Sequence, residues 1–343
     1  MRALCCADLH VKSNDLPRGT QLLRDIKNLC VSNELTMCFI IGDLLHEKDR
    51  FTIHCLNAVR KCLEEFKAEG ITVYWIRGNH EVPLTSTPSK TIMPMYRHLA
   101  KIVVTPEILR GEDYCIYMLP WYTAEIFRNY CNQLAQATYQ DRTKTRILMA
   151  HIGLAEGVTN LGGFQVSQPI RLTDLHPESY HLTLLGDYHV FQKVSKGVYY
   201  LGAPISHQFG DDHLGKVWIL DTDSREIEPV SLPSKFPKYA TYEVELDETG
   251  ETLATAPMVD PEDINRFKCH ISAANIVRNL YRHLNPVIET YGASSPDMEQ
   301  RRISSESGEA DVLREWLKQR GWLETHYKTA MKYLDKGRER VES

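Results

Sequence analysis

Short apolar runs in this chain repeatedly stop at a polar residue. The clearest is Phe39-Ile40-Ile41, which ends in Gly42-Asp43. A buried parallel strand reads this way where it stops at its carboxyl end and places a carboxylate in a crevice. Four other runs share the pattern. Residues 2–7 lead into Asp8-Leu9-His10, and Ile71 to Ile76 leads into Arg77-Gly78-Asn79-His80-Glu81. Ile147 to Ala150 delivers His151, and Leu182 to Leu185 delivers Gly186-Asp187-Tyr188-His189. Helical spacing fills the gaps: Leu22, Leu23, Ile26 and Leu29 between Pro17 and Val31, then Cys55, Leu56, Val59, Leu63 and Phe66 between Phe51 and Glu69, with Gly70 as a stop signal. Strand-helix alternation with every polar site at a strand's carboxyl end predicts an α/β layered fold with its site along one edge.

The remaining pattern continues that frame. A polar loop spans Thr85 to Lys90, strands are expected near Ile102–Thr105 and Tyr114–Leu119, and a helix from Ala124 to Ala137. Gly153 to Gln168 reads as a loop over the site. Val198–Leu201 and Lys216–Leu220 read as antiparallel strands. The two prolines of Ser231 to Pro237 predict a linker, which closes a first domain at 1–232. A second domain, 236–291, has a strand from Thr241 to Leu246, a second near Phe267 to Ile271, and an i, i+4 helical stripe of Ile276, Leu280, Leu284 and Ile288. Residues 292–309, rich in Ser, Gly and charge, read as a flexible linker. The stretch 310–343 reads as helical, with Trp316 and Trp322 among its apolar positions.

Bulk properties narrow the class. The 343 residues allow about two domains. At 43% apolar and 25% charged, the composition is that of a globular protein with a sizeable core. No apolar run is long enough to cross a bilayer, and the amino-terminal stretch reads as a strand rather than a signal peptide. The nine cysteines are odd in number and lack Cys-x-x-Cys spacing, so they read as reduced core thiols in a cytoplasmic setting. A net charge of −5 means that attraction to nucleic acid has to come from local patches, metal ions or a partner.

The chemistry lies in the strand ends. Period-two spacing puts Asp8 and His10 on one side, within reach of one ion. Oxygen and imidazole donors without thiolate suit Mn²⁺, Fe²⁺ or Zn²⁺. Two such ions about 3.5–4 Å apart, bridged by the Asp43 carboxylate, would stabilise both oxygens of an in-line displacement at phosphorus. Each signal alone has a bland reading: a lone Gly-Asp caps a helix, and a lone histidine at a strand end is an ordinary polar residue.

The ordered set Asp8-x-His10, Gly42-Asp43, Gly78-Asn79-His80-Glu81, His151 and Gly186-x-x-His189 resembles the calcineurin-like metallophosphoesterase superfamily. The resemblance implies a two-sheet α/β sandwich with flanking helices. It implies one metal on Asp8, His10, Asp43 and His189, and a second on Asp43, Asn79, His151 and Asp187. His80 matches the histidine that assists catalysis without binding metal. The usual last motif is Gly-His-x-His, and Asp187 departs from it with an added negative charge that favours Mn²⁺ or Mg²⁺ over Zn²⁺.

Within the superfamily, the Asp-Arg-Gly of phosphoprotein phosphatases is missing. Gly42-Asp43-Leu44-Leu45-His46 and the segment Gly202 to Asp211 resemble instead the SbcD or Mre-eleven type of DNA double-strand-break repair nuclease, in compact phage or bacterial form. That resemblance implies a manganese-dependent 3′→5′ exonuclease and single-strand endonuclease using a metal-bridging hydroxide, with His46 and His207 facing substrate. It implies a small capping domain at 236–291, a homodimer, DNA as substrate, and a coiled-coil ATPase of the SbcC or Rad-fifty kind docked on 310–343. The bland reading of that tail is that its tryptophans cover the parent domain. Two alternatives remain: a stand-alone metallophosphodiesterase acting on small nucleotides, and a catalytically inert scaffold. The second conflicts with a metal-competent residue at every ligand position.

Overall fold

The computed structural model describes residues 1–83, 90–157, 170–211 and 215–291. In chain order the strands of the first part are β1 (Arg2–Cys6), β2 (Met37–Ile41), β3 (Thr72–Ile76), β4 (Lys101–Val103), β5 (Glu107–Arg110), β6 (Tyr114–Leu119), β7 (Thr145–His151), β8 (Leu182–Gly186), β9 (Gln192–Ser195), β10 (Val198–Tyr200), β11 (Lys216–Asp221) and β12 (Glu226–Ser231). Helices α1 (Leu16–Ser32), α2 (Ile53–Ala68) and α3 (Ala124–Ala137) lie between them. Beyond residue 232 come β13 (Tyr239–Val244), β14 (Ile264–His270), the short helix α4 (Ala274–Leu280) and β15 (Val287–Tyr291).

Two six-stranded sheets face each other, in the orders β12-β11-β1-β2-β3-β4 and β5-β6-β7-β8-β10-β9. Side-chain alternation along the central strands builds the layers. Ala3, Cys5, Phe39, Ile41 and Ile76 point from the first sheet into the space between the sheets, where they meet Ile116, Met118, Ile147, Met149 and Leu184 of the second. The intervening residues Leu4, Cys6, Cys38, Ile40 and Trp75 face the other way, onto Leu22, Leu23 and Ile26 of α1 and Val59, Leu63 and Phe66 of α2. The outer face of the second sheet packs Tyr117, Leu119 and Leu148 on Phe127, Cys131 and Leu134 of α3. Pairing from β1 through β4 and from β6 through β8 to β10 is parallel. The carboxyl ends of the ligand-bearing strands therefore collect at one edge of the sandwich.

All nine cysteines are buried and none is in a disulfide. No helix among the described residues is long and apolar enough to cross a membrane. The 231–237 segment leaves the first sheet but is tied down: Asp25 accepts from the Ser234 backbone and hydroxyl, and Phe236 is buried in the α1/α2 core.

Two expectations need correction. β11 is antiparallel to both its neighbours as expected, but β10 is antiparallel only to β9, joined to it through Gly197 at φ +74°, and is parallel to β8. The stripe of Ile276, Leu280, Leu284 and Ile288 is not one helix. α4 stops at Leu280, Asn285 turns left-handed at φ 47° before Pro286, and Ile288 sits in β15 opposite Phe267. The residue before proline is disfavoured in the right-handed helical region, so no single helix can run through Asn285 to Ile288. The buried face of α4 is Ala274 and Val277, while Leu280 is exposed. β13, β14 and β15 form a parallel three-stranded sheet. The expected linker at 292–309, the helical stretch at 310–343 and most of the expected loop of 153–168 lie outside the described residues.

Candidate metal centre

Each of the five strand ends delivers its polar residue to the same place. Asp8, His10, Asp43 and Asp187 all have positive φ, at 56°, 44°, 52° and 101°. Aspartate and histidine tolerate this region better than most residues, and such conformations concentrate at functional sites. Glu81 holds the Asp43 turn: it accepts from the backbone N–H of Asp43 and of Leu45 at 3.0 Å each, and of Gly78 at 2.8 Å. Packing is tight enough to dictate glycine. A Cβ on Gly78 would lie 2.1 Å from Asp43 Oδ1.

The two oxygens of Asp43 face different neighbours. Oδ2 lies 3.7 Å from His10 Nε2, while Oδ1 lies 3.4 Å from His151 Nε2 and accepts the His80 backbone N–H at 2.9 Å. On the Oδ2 side, His10 Nε2 is 3.1 Å from His189 Nε2, and Asp8, His10 and His189 offer donor atoms all within 4.8 Å of one another. On the Oδ1 side, His151 Nε2 lies 3.2 Å from Asn79 Oδ1 and 3.7 Å from Asp187 Oδ1. Asp8 faces both sides: it also groups with Asp43 and His151, and its carboxylate accepts the Asp187 N–H at 3.1 Å.

Several rings are anchored through one nitrogen, which fixes what the other presents. His151 donates from Nδ1 to the Ile41 carbonyl at 2.8 Å, and His80 from Nδ1 to the His46 carbonyl. Both leave Nε2 pointing inward. His46 stacks on His80 with centroids 5.3 Å apart, and its Nδ1 lies 3.4 Å from His10 Nδ1. His207 is farther in, 7% exposed, with its Nε2 donating to the Asp8 carbonyl at 2.9 Å.

A family model decides what this geometry belongs to: calcineurin-like phosphoesterase matches residues 1–221. The chain belongs to the calcineurin-like phosphoesterase family. No curated protein matches it in sequence. Solved structures similar to it include a dimetal phosphatase from Danio rerio, at 9% identity over 68% of this chain and 99% of that one, with a TM-score of 0.41. The nuclease MPE of Pseudomonas putida is 14% identical over 66% of this chain and 87% of that one, with a TM-score of 0.29. Yfce, a phosphoesterase from E. coli, is 12% identical over 68% and 100%, with a TM-score of 0.29.

Calcineurin-like phosphoesterases are hydrolases of phosphoesters that typically use two divalent metal ions, and the donor set here fits such ions. Burial, with Asp43 and Asp187 nearby, pushes the Asp8 carboxyl up to about 7 against the pull of His151 and His189. Burial and Asp43 likewise push Glu81 up to about 7. Burial also raises Asp187. It acts against Asp43, but His151 and His80 outweigh it and hold that carboxyl low. Burial and the surrounding imidazoles push His10 well below its ordinary value, which favours the neutral ring with one nitrogen lone pair to offer a cation. His151 and His189 shift the other way: the carboxylates around them raise both rings against burial. A buried group of carboxylates this close together is what a divalent ion relieves.

Two contributors escaped the sequence reading. Glu81 stands in the quoted motif, yet its three backbone partners become visible only in the fold. Asp211 ends the Gly202–Asp211 segment, and its carboxylate lies 3.1 Å from His189 Nδ1. A Gly-Asn-His followed at once by a carboxylate was the available signal for Glu81. For Asp211 it was the Asp211-Asp212 pair that follows Gly210 at the end of the segment.

Proposed function

We propose that this phosphoesterase is a two-metal-dependent DNA nuclease, a 3′→5′ exonuclease and single-strand endonuclease subunit that works with an SbcC or Rad-fifty-type coiled-coil ATPase. The observation that carries the two-metal reading is the division of Asp43, with Oδ2 turned to His10 and Oδ1 to His151. The DNA assignment is supported by the resemblance of Gly42 to His46 and of Gly202 to Asp211 to the SbcD and Mre-eleven type.

Held on Asp8, His10, Asp43 and His189 on one side and on Asp43, Asn79, His151 and Asp187 on the other, two divalent ions (Mn²⁺, or Mg²⁺) would activate the attacking water and neutralise charge on the phosphate oxygens. The side chains supply the rest. His80, anchored at Nδ1 on the His46 carbonyl, orients the phosphate or delivers a proton to the leaving alkoxide. Burial, with Lys12 and His80 beside it, pushes the His46 ring down to about 4, so it meets substrate next to the cut as a neutral imidazole. His207 braces the Asp8 backbone beneath and presents only its edge to substrate. The three-stranded sheet and α4 serve as the capping domain, and residues 310–343 as the docking segment for the ATPase. The active form is a homodimer.

The test is nuclease activity on end-labelled duplex and single-stranded DNA with Mn²⁺, for wild type, His80→Ala and Asp43→Ala. Cutting by wild type alone, with label lost from the 3′ end, is the expected result. A wild type silent on DNA, with or without the ATPase, that still hydrolyses a small phosphodiester would replace this reading with a stand-alone phosphodiesterase.

A further inference from the structure

The Asp211 side chain is 2% exposed and lies 3.1 Å from His189 Nδ1. Its Oδ2 also accepts the backbone N–H of His207 at 2.8 Å and of Gln208 at 3.3 Å. These two donors fix the carboxylate, and the carboxylate in turn dictates the state of the ring. A carboxylate at Nδ1 holds the imidazole proton there and leaves the Nε2 lone pair free. That Nε2 is the atom 3.1 Å from His10 Nε2, in the grouping that includes Asp8. His151 is oriented by a neutral carbonyl. His189 is oriented by a full charge, which also makes its free nitrogen a stronger donor.

We propose that Asp211 is a positioning residue that holds His189 in its Nδ1-protonated form and thereby sets the affinity of the Asp8–His10–His189 grouping for a divalent ion. The inference rests on the metal-binding part of the proposed function and is independent of its DNA part. Asp211 acts through the His189 ring it contacts.

The experiment uses the full chain. Mn²⁺ is titrated calorimetrically into wild type, Asp211→Asn and Asp211→Glu. The metal-free unfolding midpoint of each is measured, and nitrogen-15 shifts of the His189 ring are read in metal-free wild type at a pH where the ring is neutral. Asp211→Asn is expected to weaken Mn²⁺ binding by about 10- to 100-fold, Asp211→Glu to recover part of that loss, and His189 to carry its proton on Nδ1. An Asp211→Asn protein that binds Mn²⁺ as wild type does, or a His189 protonated on Nε2, would overturn the proposal. So would a binding loss matched by an equal loss of folded protein. If Asp211→Asn fails to fold, the Asp211→Glu titration and the wild-type ring shifts decide. Failure of wild type itself to bind Mn²⁺ would overturn the two-metal reading above, which separates the two failures.

Discussion

Asp43 and His151 come from different sheets, and the 3.4 Å between Asp43 Oδ1 and His151 Nε2 is where the two halves of the site join. One carboxylate at the end of β2 thus faces donors from both layers. Replacing it with a neutral amide removes the charge shared by both sides. Asp43→Asn is expected to lower phosphodiester turnover by a factor on the order of 10³, with fewer Mn²⁺ equivalents bound in a calorimetric titration. Unchanged stoichiometry would show that Asp43 is not shared.

Gly78→Ala tests the closeness of approach. The added Cβ would lie 2.1 Å from Asp43 Oδ1 and 2.6 Å from the Asp43 nitrogen, and Glu81 holds both backbones in place. Overpacking of this kind costs about 1–3 kcal/mol. Denaturant titration of the metal-free variant is expected to read that loss, and Mn²⁺ binding should weaken with it.

Tyr200→Phe probes the segment after His151. The Tyr200 hydroxyl donates to the Ile152 carbonyl at 2.9 Å and accepts the Leu154 N–H at 2.8 Å, both buried. Phenylalanine leaves two backbone groups unpaired, at a cost of about 1–3 kcal/mol. A stability equal to wild type in denaturant would mean that water replaces the hydroxyl.

His181 gives a pH prediction at a distance from the metal-ligand candidates. Its Nδ1 accepts the Arg146 N–H at 3.0 Å, so the ring is neutral there. Burial, then the charges of Arg225 and Arg146, hold it below its ordinary value. As pH falls below about 6.5, the unfolded chain takes up the proton first. The stabilising contribution is therefore complete above that value and is lost as pH drops through the lowered folded value. Metal-free His181→Gln is expected to show a shallower fall in stability than wild type between about pH 7 and 5. Parallel curves would exclude the contribution.

The central strands were legible because a strand buried on both faces is a continuous apolar run, and its abrupt polar end is visible without alignment. The α/β layering and the gathering of Asp8, Asp43, Asn79, His151 and Asp187 at one edge follow from that regularity, while the division into two sheets came from the resemblance to the metallophosphoesterases. β5, β9 and β12 were not legible. They are short edge strands with exposed or half-exposed residues, as in Glu226-Ile227-Glu228-Pro229, and nothing in their pattern separates them from loop. Ile288 was misplaced because spacing outweighed the Asn285-Pro286 break. Glu81 and Asp211 were hidden for a different reason. They act on backbone N–H groups and a ring brought near only by folding, and no spacing encodes such partners.

The pairing of β1 with β11 joins Arg2 to Asp221 and Cys5 to Trp218. The strand that leads into Asp8 and His10 precedes β11 by more than two hundred residues, and its flank on one side stays open until residue 216 onward has been added. Contacts this far apart in sequence are slow to form, and an unpaired apolar edge is prone to join other chains in the meantime. β1 is thus made well before its partner β11, and in that interval its open edge exposes the growing chain to aggregation.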